Sequence, residues 1–203
     1  MSTTTFQYES FDAFSPFASL GPYRSADYMA LPEGELVELI EGRLVVSPAP
    51  VPLHQFLSAL LTEIFTIVAR RSGGMALSAP VDVRLSDVTI LQPDLIYISE
   101  SRRRIIKTFV DGPPDLVVEI LSKGTSRRDR VQKLDLYARY GVAEFWIVDP
   151  QAQLFEFLIN ENGRFAVHSP VNDRYQSPRL PEVEIQVADF WCEVTERWPV
   201  ESD

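Results

Sequence analysis

The sequence predicts an α/β (α+β) protein in which a mixed central β-sheet is flanked by helices. Apolar residues recur at helical spacing over residues 54–72, and the period then changes to that of β-strands from Val81 onward. The predicted core order is helix, three strands, helix and strand, which is typical of a sheet packed against helices. We predict that residues 25–203 form a single domain and that residues 1–24 form an irregular N-terminal arm.

Local signals define the individual elements. Glu41-Gly42 lies between two apolar runs and indicates a hairpin turn, and Gly73-Gly74 ends the long helix. Ser126 suits a helix cap, and Gly141 suits the end of that helix. Residues 101–114 are predicted to be a loop. The predicted elements are a short helix at 25–31, an N-terminal hairpin around 37–46, a helix at 54–72, strands at 81–85, 88–98 and 115–122, a helix at 127–140, a strand at 144–149, a C-terminal hairpin at 154–169, a strand at 183–187 and a short terminal helix.

The composition excludes several classes of protein. With 45% apolar and 24% charged residues, the chain is typical of globular proteins. No uninterrupted apolar run reaches the length of about 18–20 residues that spans a bilayer, and the N-terminus lacks the pattern of a secretory signal. We therefore expect no membrane association and a cytoplasmic location. The single cysteine, Cys192, excludes an internal disulfide and a cysteine-built zinc site. Nucleotide-binding glycine loops and the motifs GxSxG and HExxH do not occur.

Charge is unevenly distributed along the chain. The net charge is −10, yet Ser101 to Tyr140 contains ten Lys or Arg and five Asp or Glu, so this stretch carries +5 and the remainder −15. A local basic region on an acidic protein suits contact with phosphates. A solvated helix face next to a loop of arginines explains the same pattern equally well.

Two carboxylates fall within strands that otherwise resemble buried strands. Glu119 interrupts the apolar run of residues 116–121, and Asp94 follows Pro93 between apolar neighbours. An isolated ionised carboxylate in a dry interior is unfavourable, and two of them on neighbouring strands repel each other. A divalent cation removes that conflict, and oxygen ligands suit Mg²⁺ or Mn²⁺. Pairing of each carboxylate with a nearby arginine is the alternative interpretation.

A lysine on the following helix is the third element of this pattern. Val131, Leu134, Tyr137 and Ala138 form the predicted packing stripe, and Lys133 lies about 40° from Tyr137, at the margin of the stripe. A lysine there lays its stem on the sheet and extends its ammonium toward the strand ends. That cation would steady charge that develops on a phosphate. An ordinary surface lysine is the alternative.

These residues resemble a known family. Pro93-Asp94, then Glu119 on the next strand and a helix lysine, resemble the PD-(D/E)xK signature of the restriction-endonuclease-like superfamily. More closely, the segment VELIEG (37–42) and the 36-residue block 114–149 are similar to the Uma-type family of proposed endonucleases, also called domain of unknown function 820. The resemblance extends over residues 25–190, nearly the whole chain.

The resemblance implies a restriction-endonuclease-like core in which Asp94 and Glu119 bind the metal ion and Lys133 assists the chemistry. In the superfamily signature the lysine follows the acidic residue by two positions, which is Leu121 here. The lysine function is therefore assigned to Lys133 on the helix.

Two further positions match the family. Glu38 would be a third carboxylate near the site, and His54 would hold a metal-bound water or a phosphate. The alternatives are that Glu38 is an exposed strand residue and that His54 begins a helix without a role in the chemistry. The expected activity is Mg²⁺-dependent hydrolysis of nucleic-acid phosphodiester bonds, with DNA favoured and Mn²⁺ as a substitute. Backbone phosphates would be held by Arg102, Arg103, Arg104, Lys107, Arg127 and Arg128.

Two other functions stay open from sequence alone. The chain would act as a catalytically weak nuclease-like module that binds DNA or a protein partner, or as a structural homo-oligomer in which Asp94 and Glu119 only form ion pairs. Exposed aromatic strands near the C-terminus favour a homodimer in either case.

Overall fold

The fold is taken from a computed structural model, which describes residues 6–10, 19–32, 34–122 and 129–198. The strands are β1 (Tyr8–Ser10), β2 (Val37–Ile40), β3 (Arg43–Val46), β4 (Met75–Ser78), β5 (Val83–Ser86), β6 (Thr89–Leu91), β7 (Leu95–Ile98), β8 (Val110–Asp111), β9 (Leu116–Ile120), β10 (Glu144–Asp149), β11 (Leu154–Asn160), β12 (Phe165–His168), β13 (Arg174–Gln176) and β14 (Glu184–Gln186). The helices are α1 (Ser25–Tyr28), α2 (Pro52–Ser72), α3 (Leu134–Tyr140) and α4 (Val187–Arg197), with a 3₁₀ helix at Glu100–Ile105 and a π-helical turn at Asp129–Lys133.

Two six-stranded sheets form the framework. The central sheet has the order β12-β11-β10-β9-β7-β4, in which β9 and β10 are parallel and the other pairs are antiparallel. The second sheet has the order β1-β3-β2-β6-β5-β8, and β13 pairs with β14. The predicted mixed α/β fold with a hairpin at each end of the core is confirmed.

Alternate residues of the central strands serve two separate cores. On β9, Leu116, Val118 and Ile120 belong to the cluster that contains α2 and α4 residues. Val117 belongs to the cluster that contains α3 and residues of the second sheet. Because side chains of a strand alternate between its faces, Glu119 lies on the α3 side.

Helix α2 begins with Pro52 at its first position and ends at Gly73, whose φ of 77° suits a left-handed C-terminal cap. Within the described part of the chain, α2 is the helix that is long and apolar enough to cross a membrane by length and composition alone. That criterion averages over the helix, in which polar residues interrupt the apolar ones, so the expectation that no uninterrupted apolar run reaches this length still holds. Core helices meet the criterion too, and the stripe of Leu57, Leu61 and Phe65 is fully buried in the core beside the central sheet.

The predicted strand at 88–98 is in fact two strands. β6 belongs to the second sheet and β7 to the central sheet, and the chain passes between them at Gln92-Pro93-Asp94. Proline lacks the N–H that a central ladder needs, so pairing stops there. Asp94 consequently lies at the entrance of β7 rather than inside a strand.

Short edge elements are a second difference from the prediction. The predicted loop at 101–114 contains the 3₁₀ helix and β8, which pairs with β5, and the predicted irregular arm contains β1, which pairs with β3. Strands of two or three residues are too short to show a period in sequence.

Both predicted hairpins form. β2 and β3 are joined by Glu41 and Gly42, whose φ values of 48° and 81° suit the tight turn of a two-residue hairpin. β11 and β12 form the antiparallel C-terminal hairpin.

Candidate active site

A cleft of about 160 Å³ lies where the start of α2, the β6–β7 break and the end of β9 meet. Four predicted catalytic residues line it: His54, Asp94, Glu119 and Lys133. The fifth, Glu38, contacts Lys133 from β2. The fold therefore brings together residues that are up to 95 positions apart in the chain, from 38 to 133.

Lys133 joins two buried carboxylates. Its Nζ lies 2.7 Å from Oε1 of Glu119 and 3.2 Å from Oε1 of Glu38. The residues are 4%, 3% and 1% exposed, respectively. Removing the lysine or one of the carboxylates would leave a buried charge without one of its partners, which is unfavourable. The three side chains therefore stabilise each other.

The depth of Lys133 differs from the prediction. Lys133 is buried, although the helical wheel placed it at the margin of the packing stripe. Val131, which the wheel placed within the stripe, is 56% exposed. The cause is the π-helical turn directly before α3, because a π turn has i→i+5 bonds and rotates the positions of one turn relative to an α-helix. Such turns often occur at functional sites.

Tyr137 is a site residue that sequence reasoning assigned only to packing. Its hydroxyl donates to the same Oε1 of Glu119 at 2.7 Å, and the side chain is fully buried. The available signal was its spacing of four residues from Lys133, which places both side chains on one helix face.

Asp94 is held by two hydrogen bonds at one oxygen. Its Oδ2 lies 3.1 Å from Nε2 of His54 and accepts the backbone N–H of Ile120 at 2.7 Å. Ile120 directly follows Glu119, so this bond ties the Asp94 carboxylate to the strand segment that carries Glu119. Oδ1 of Asp94 makes no hydrogen bond with any residue that the structure describes.

Glu38 is fixed by the β6–β7 break. The backbone N–H of Gln92 donates to its Oε1 at 2.9 Å, and the Gln92 amide donates to Tyr28 and Asp82. Burial raises the pKa of Tyr28 well above its ordinary value, and the Asp82 carboxylate adds a smaller effect in the same direction. The Tyr28 hydroxyl therefore remains protonated. The break in the predicted strand thus supplies support for the site.

The predicted phosphate-binding basic residues lie elsewhere. Arg102 to Arg104 follow the C-terminal end of β7, whereas Asp94 precedes its N-terminal end. Arg102 pairs with Asp115, and Lys107 pairs with Asp111. None of the four described basic residues lines the cleft, and Arg127 and Arg128 lie outside the described residues.

A family model for Uma2, described as "Putative restriction endonuclease", matches residues 25–192. The chain belongs to the Uma2 family. A solved structure, that of "a putative nuclease belonging to DUF820" from Anabaena variabilis ATCC 29413, superposes with a TM-score of 0.72 at 19% identity, over 85% of this chain and 99% of that chain. That likeness shows the fold alone. A comparison with curated proteins gave no match.

Membership in the Uma2 family confirms the resemblance seen in the sequence and supports a nuclease at the general level. Enzymes with restriction-endonuclease-like folds usually use divalent metal ions. Among the described residues, no group of three His, Cys, Asp or Glu is positioned to hold a metal ion. Mg²⁺ needs only one or two carboxylates, with waters and substrate phosphates as the other ligands. Asp94 and Glu119, both lining the cleft, fit that requirement.

Proposed function

We propose that this Uma2-family chain is a metal-dependent endonuclease that hydrolyses phosphodiester bonds of nucleic acid, with DNA as the favoured substrate. The observation that carries the proposal is the buried Lys133 ammonium, bonded to Glu119 in a cleft that Asp94 also lines. The preference for DNA rests on the family's description as a restriction endonuclease. A cytoplasmic location and a homodimer stay predictions.

The carboxylates of the cleft suit a divalent cation. Asp94 and Glu119 both line the cleft. Their oxygens are ligands of the kind that Mg²⁺ or Mn²⁺ prefers, so this pair would hold the ion. When bound, such an ion lowers the pKa of a coordinated water and neutralises charge on a phosphate.

The protein's own groups have separate tasks. His54 and the Ile120 N–H orient the Asp94 carboxylate, while Lys133 and Tyr137 orient that of Glu119. Lys133 also places a positive charge beside the carboxylates, where it would stabilise negative charge that develops on the phosphate. Glu38 keeps the ammonium in place through the 3.2 Å contact.

Supercoiled plasmid incubated with the protein and Mn²⁺ tests this proposal. We expect nicking by the native chain, none in chelator, and a loss of more than about 100-fold in Glu119→Gln prepared in parallel. Equal nicking by both proteins would contradict the assignment of Glu119.

A second candidate function has one observation in its favour. Glu119 and Asp94 already have protein partners, Lys133 and His54, so they also suit a nuclease-like module without catalysis. Such a module would bind DNA equally well as Glu119→Gln, would cut nothing, and would show no change of melting temperature on addition of Mn²⁺.

A further inference from the structure

A groove leaves the candidate active site along the solvent side of α2. Its volume is about 690 Å³, and it lies between α2 and the end of β4. It shares Gln55, Ser58 and Ala79 with the cleft that contains Asp94 and Glu119. The groove and the cleft are therefore one continuous depression.

The lining of this groove combines apolar residues with a row of polar ones. Gln55, Thr62, Thr66 and Arg70 lie on one face of α2, at spacings of four or seven residues. Amide, hydroxyl and guanidinium groups are the side chains that contact the phosphates and sugars of nucleic acid. Among the described residues of the lining, Glu63 is the single acidic one, and its charge balances that of Arg70.

Arg70 is the cation at the far end of the groove. Its side chain is exposed and makes no ion pair or hydrogen bond with any part of the chain that the structure describes. In contrast, Arg102 and Lys107 of the predicted basic region pair with Asp115 and Asp111. Arg70 can therefore bind a phosphate without first breaking an internal ion pair.

We propose that one DNA strand of the substrate leaves the cleft along this groove and that Arg70 contacts one of its phosphates. This inference rests on the proposed nuclease function. Gln55 and Arg70 are separated by about 22 Å along the helix, since α-helices rise about 1.5 Å per residue. That distance corresponds to about six nucleotides of a duplex strand.

Salt-dependent binding tests the groove directly. The probe is a fluorescent DNA duplex of about 30 base pairs, long enough to fill the groove in either direction. Binding is measured on the Glu119→Gln protein, to prevent cleavage, with Arg70→Ala or Arg164→Ala added. Arg164 is a matched control because it is an exposed arginine of the β11–β12 turn and lines neither the cleft nor the groove.

We expect Arg70→Ala to weaken binding several-fold and to reduce the slope of log K against log salt by about one. Arg164→Ala should leave both quantities unchanged. Three results would overturn the proposal that DNA lies in the groove. These are an unchanged slope in Arg70→Ala, equal losses of affinity in both variants, and no binding of the duplex by the parent protein.

Failure of the groove and failure of the nuclease proposal give different results. Glu119-dependent nicking by the native chain, combined with an Arg70→Ala slope equal to that of the parent, rejects the groove alone. Binding that depends on Arg70 without any nicking rejects the catalytic proposal and keeps the groove.

Discussion

Two buried glutamates on adjacent strands show what distinguishes a candidate site from a structural anchor. Glu119 of β9 lies opposite Ile147, and Glu144 of β10 lies opposite Leu116, so they occupy opposite ends of one parallel strand pair. They also face opposite sides of the sheet. Both are at most 3% exposed, so burial alone does not separate them.

The partners of the two glutamates differ in charge. Glu144 accepts hydrogen bonds from three neutral donors, the Trp146 indole and the hydroxyls of Tyr175 and Ser177. Glu119 has a cation, Lys133, and opens to a cleft that a second carboxylate lines. A closed set of neutral donors fits the anchoring of the β13–β14 hairpin, whereas a cation and a cleft fit chemistry on an anionic substrate.

Replacing Lys133 should have the largest effect. Lys133→Met removes the cation from between Glu119 and Glu38, and breaking a buried pair in this way destabilises proteins by about 3–5 kcal/mol. Nicking should fall by about 100- to 1,000-fold, since a charge that stabilises the transition state is lost. Denaturant unfolding and the plasmid assay measure the two effects.

Lys107→Met is the matched control for that change. Lys107 is exposed and pairs with Asp111 at the surface, where ion pairs contribute little. We expect neither stability nor nicking to change measurably. An equal loss of nicking in both variants would argue against a special role for Lys133.

Tyr137→Phe removes a hydrogen bond of the Glu119 cluster. The ring and its packing against Phe145 are retained, and the donor to Oε1 is lost. Partners that orient a metal ligand are worth about 10- to 100-fold in affinity or activity, so we expect a loss of that size in Mn²⁺ affinity, measured by calorimetry. Tyr140 lies on the same helix as Tyr137, and its hydroxyl bonds to Ser86 of β5. The control variant Tyr140→Phe should therefore bind Mn²⁺ as the native chain does.

Ser177→Ala tests the Glu144 cluster in the same way. The variant removes one neutral donor from a fully buried carboxylate, together with the acceptor of the Arg179 and Leu180 backbone N–H groups. We therefore expect a loss of about 1.5–3 kcal/mol in the free energy of unfolding. Nicking at a temperature where the variant stays folded should be unchanged. A loss of nicking without a loss of stability would mean that the two clusters are coupled.

The pH dependence of stability should show a smaller effect of Glu144. Burial raises the pKa of Glu144, although its three donors act in the opposite direction. The folded chain then binds the proton more tightly than the unfolded chain does. As pH rises from about 4.3 through the raised folded-state pKa, the native chain should lose stability relative to Glu144→Gln and then level off. Unfolding free energies of both proteins over that range measure this difference, and parallel curves would contradict it.

Much of the fold was accessible from the sequence because its elements are strongly patterned. The α2 stripe, the apolar run of β9 and the turn at Glu41-Gly42 each carry a clear local signal. Glu119 was found because a carboxylate in an apolar strand is costly and therefore conspicuous.

The missed features depend on tertiary structure or on rare backbone geometry. The apolar runs on both sides of Pro93 join into one period, so the change of sheet at that point is not visible in the pattern. The π turn rotates Lys133 into the interior and Val131 out of it, against a wheel drawn at 100° per residue. The ion pair between Arg102 and Asp115 can be predicted only once the fold is known.

The roles of the two glutamates are compared most directly in one assay. Supercoiled plasmid is incubated with Mn²⁺ and with the native chain, Glu119→Gln or Glu144→Gln, each first shown to be folded by circular dichroism. We expect Glu144→Gln to nick as the native chain does and Glu119→Gln not to nick. Nicking by Glu119→Gln at the native rate would contradict this expectation.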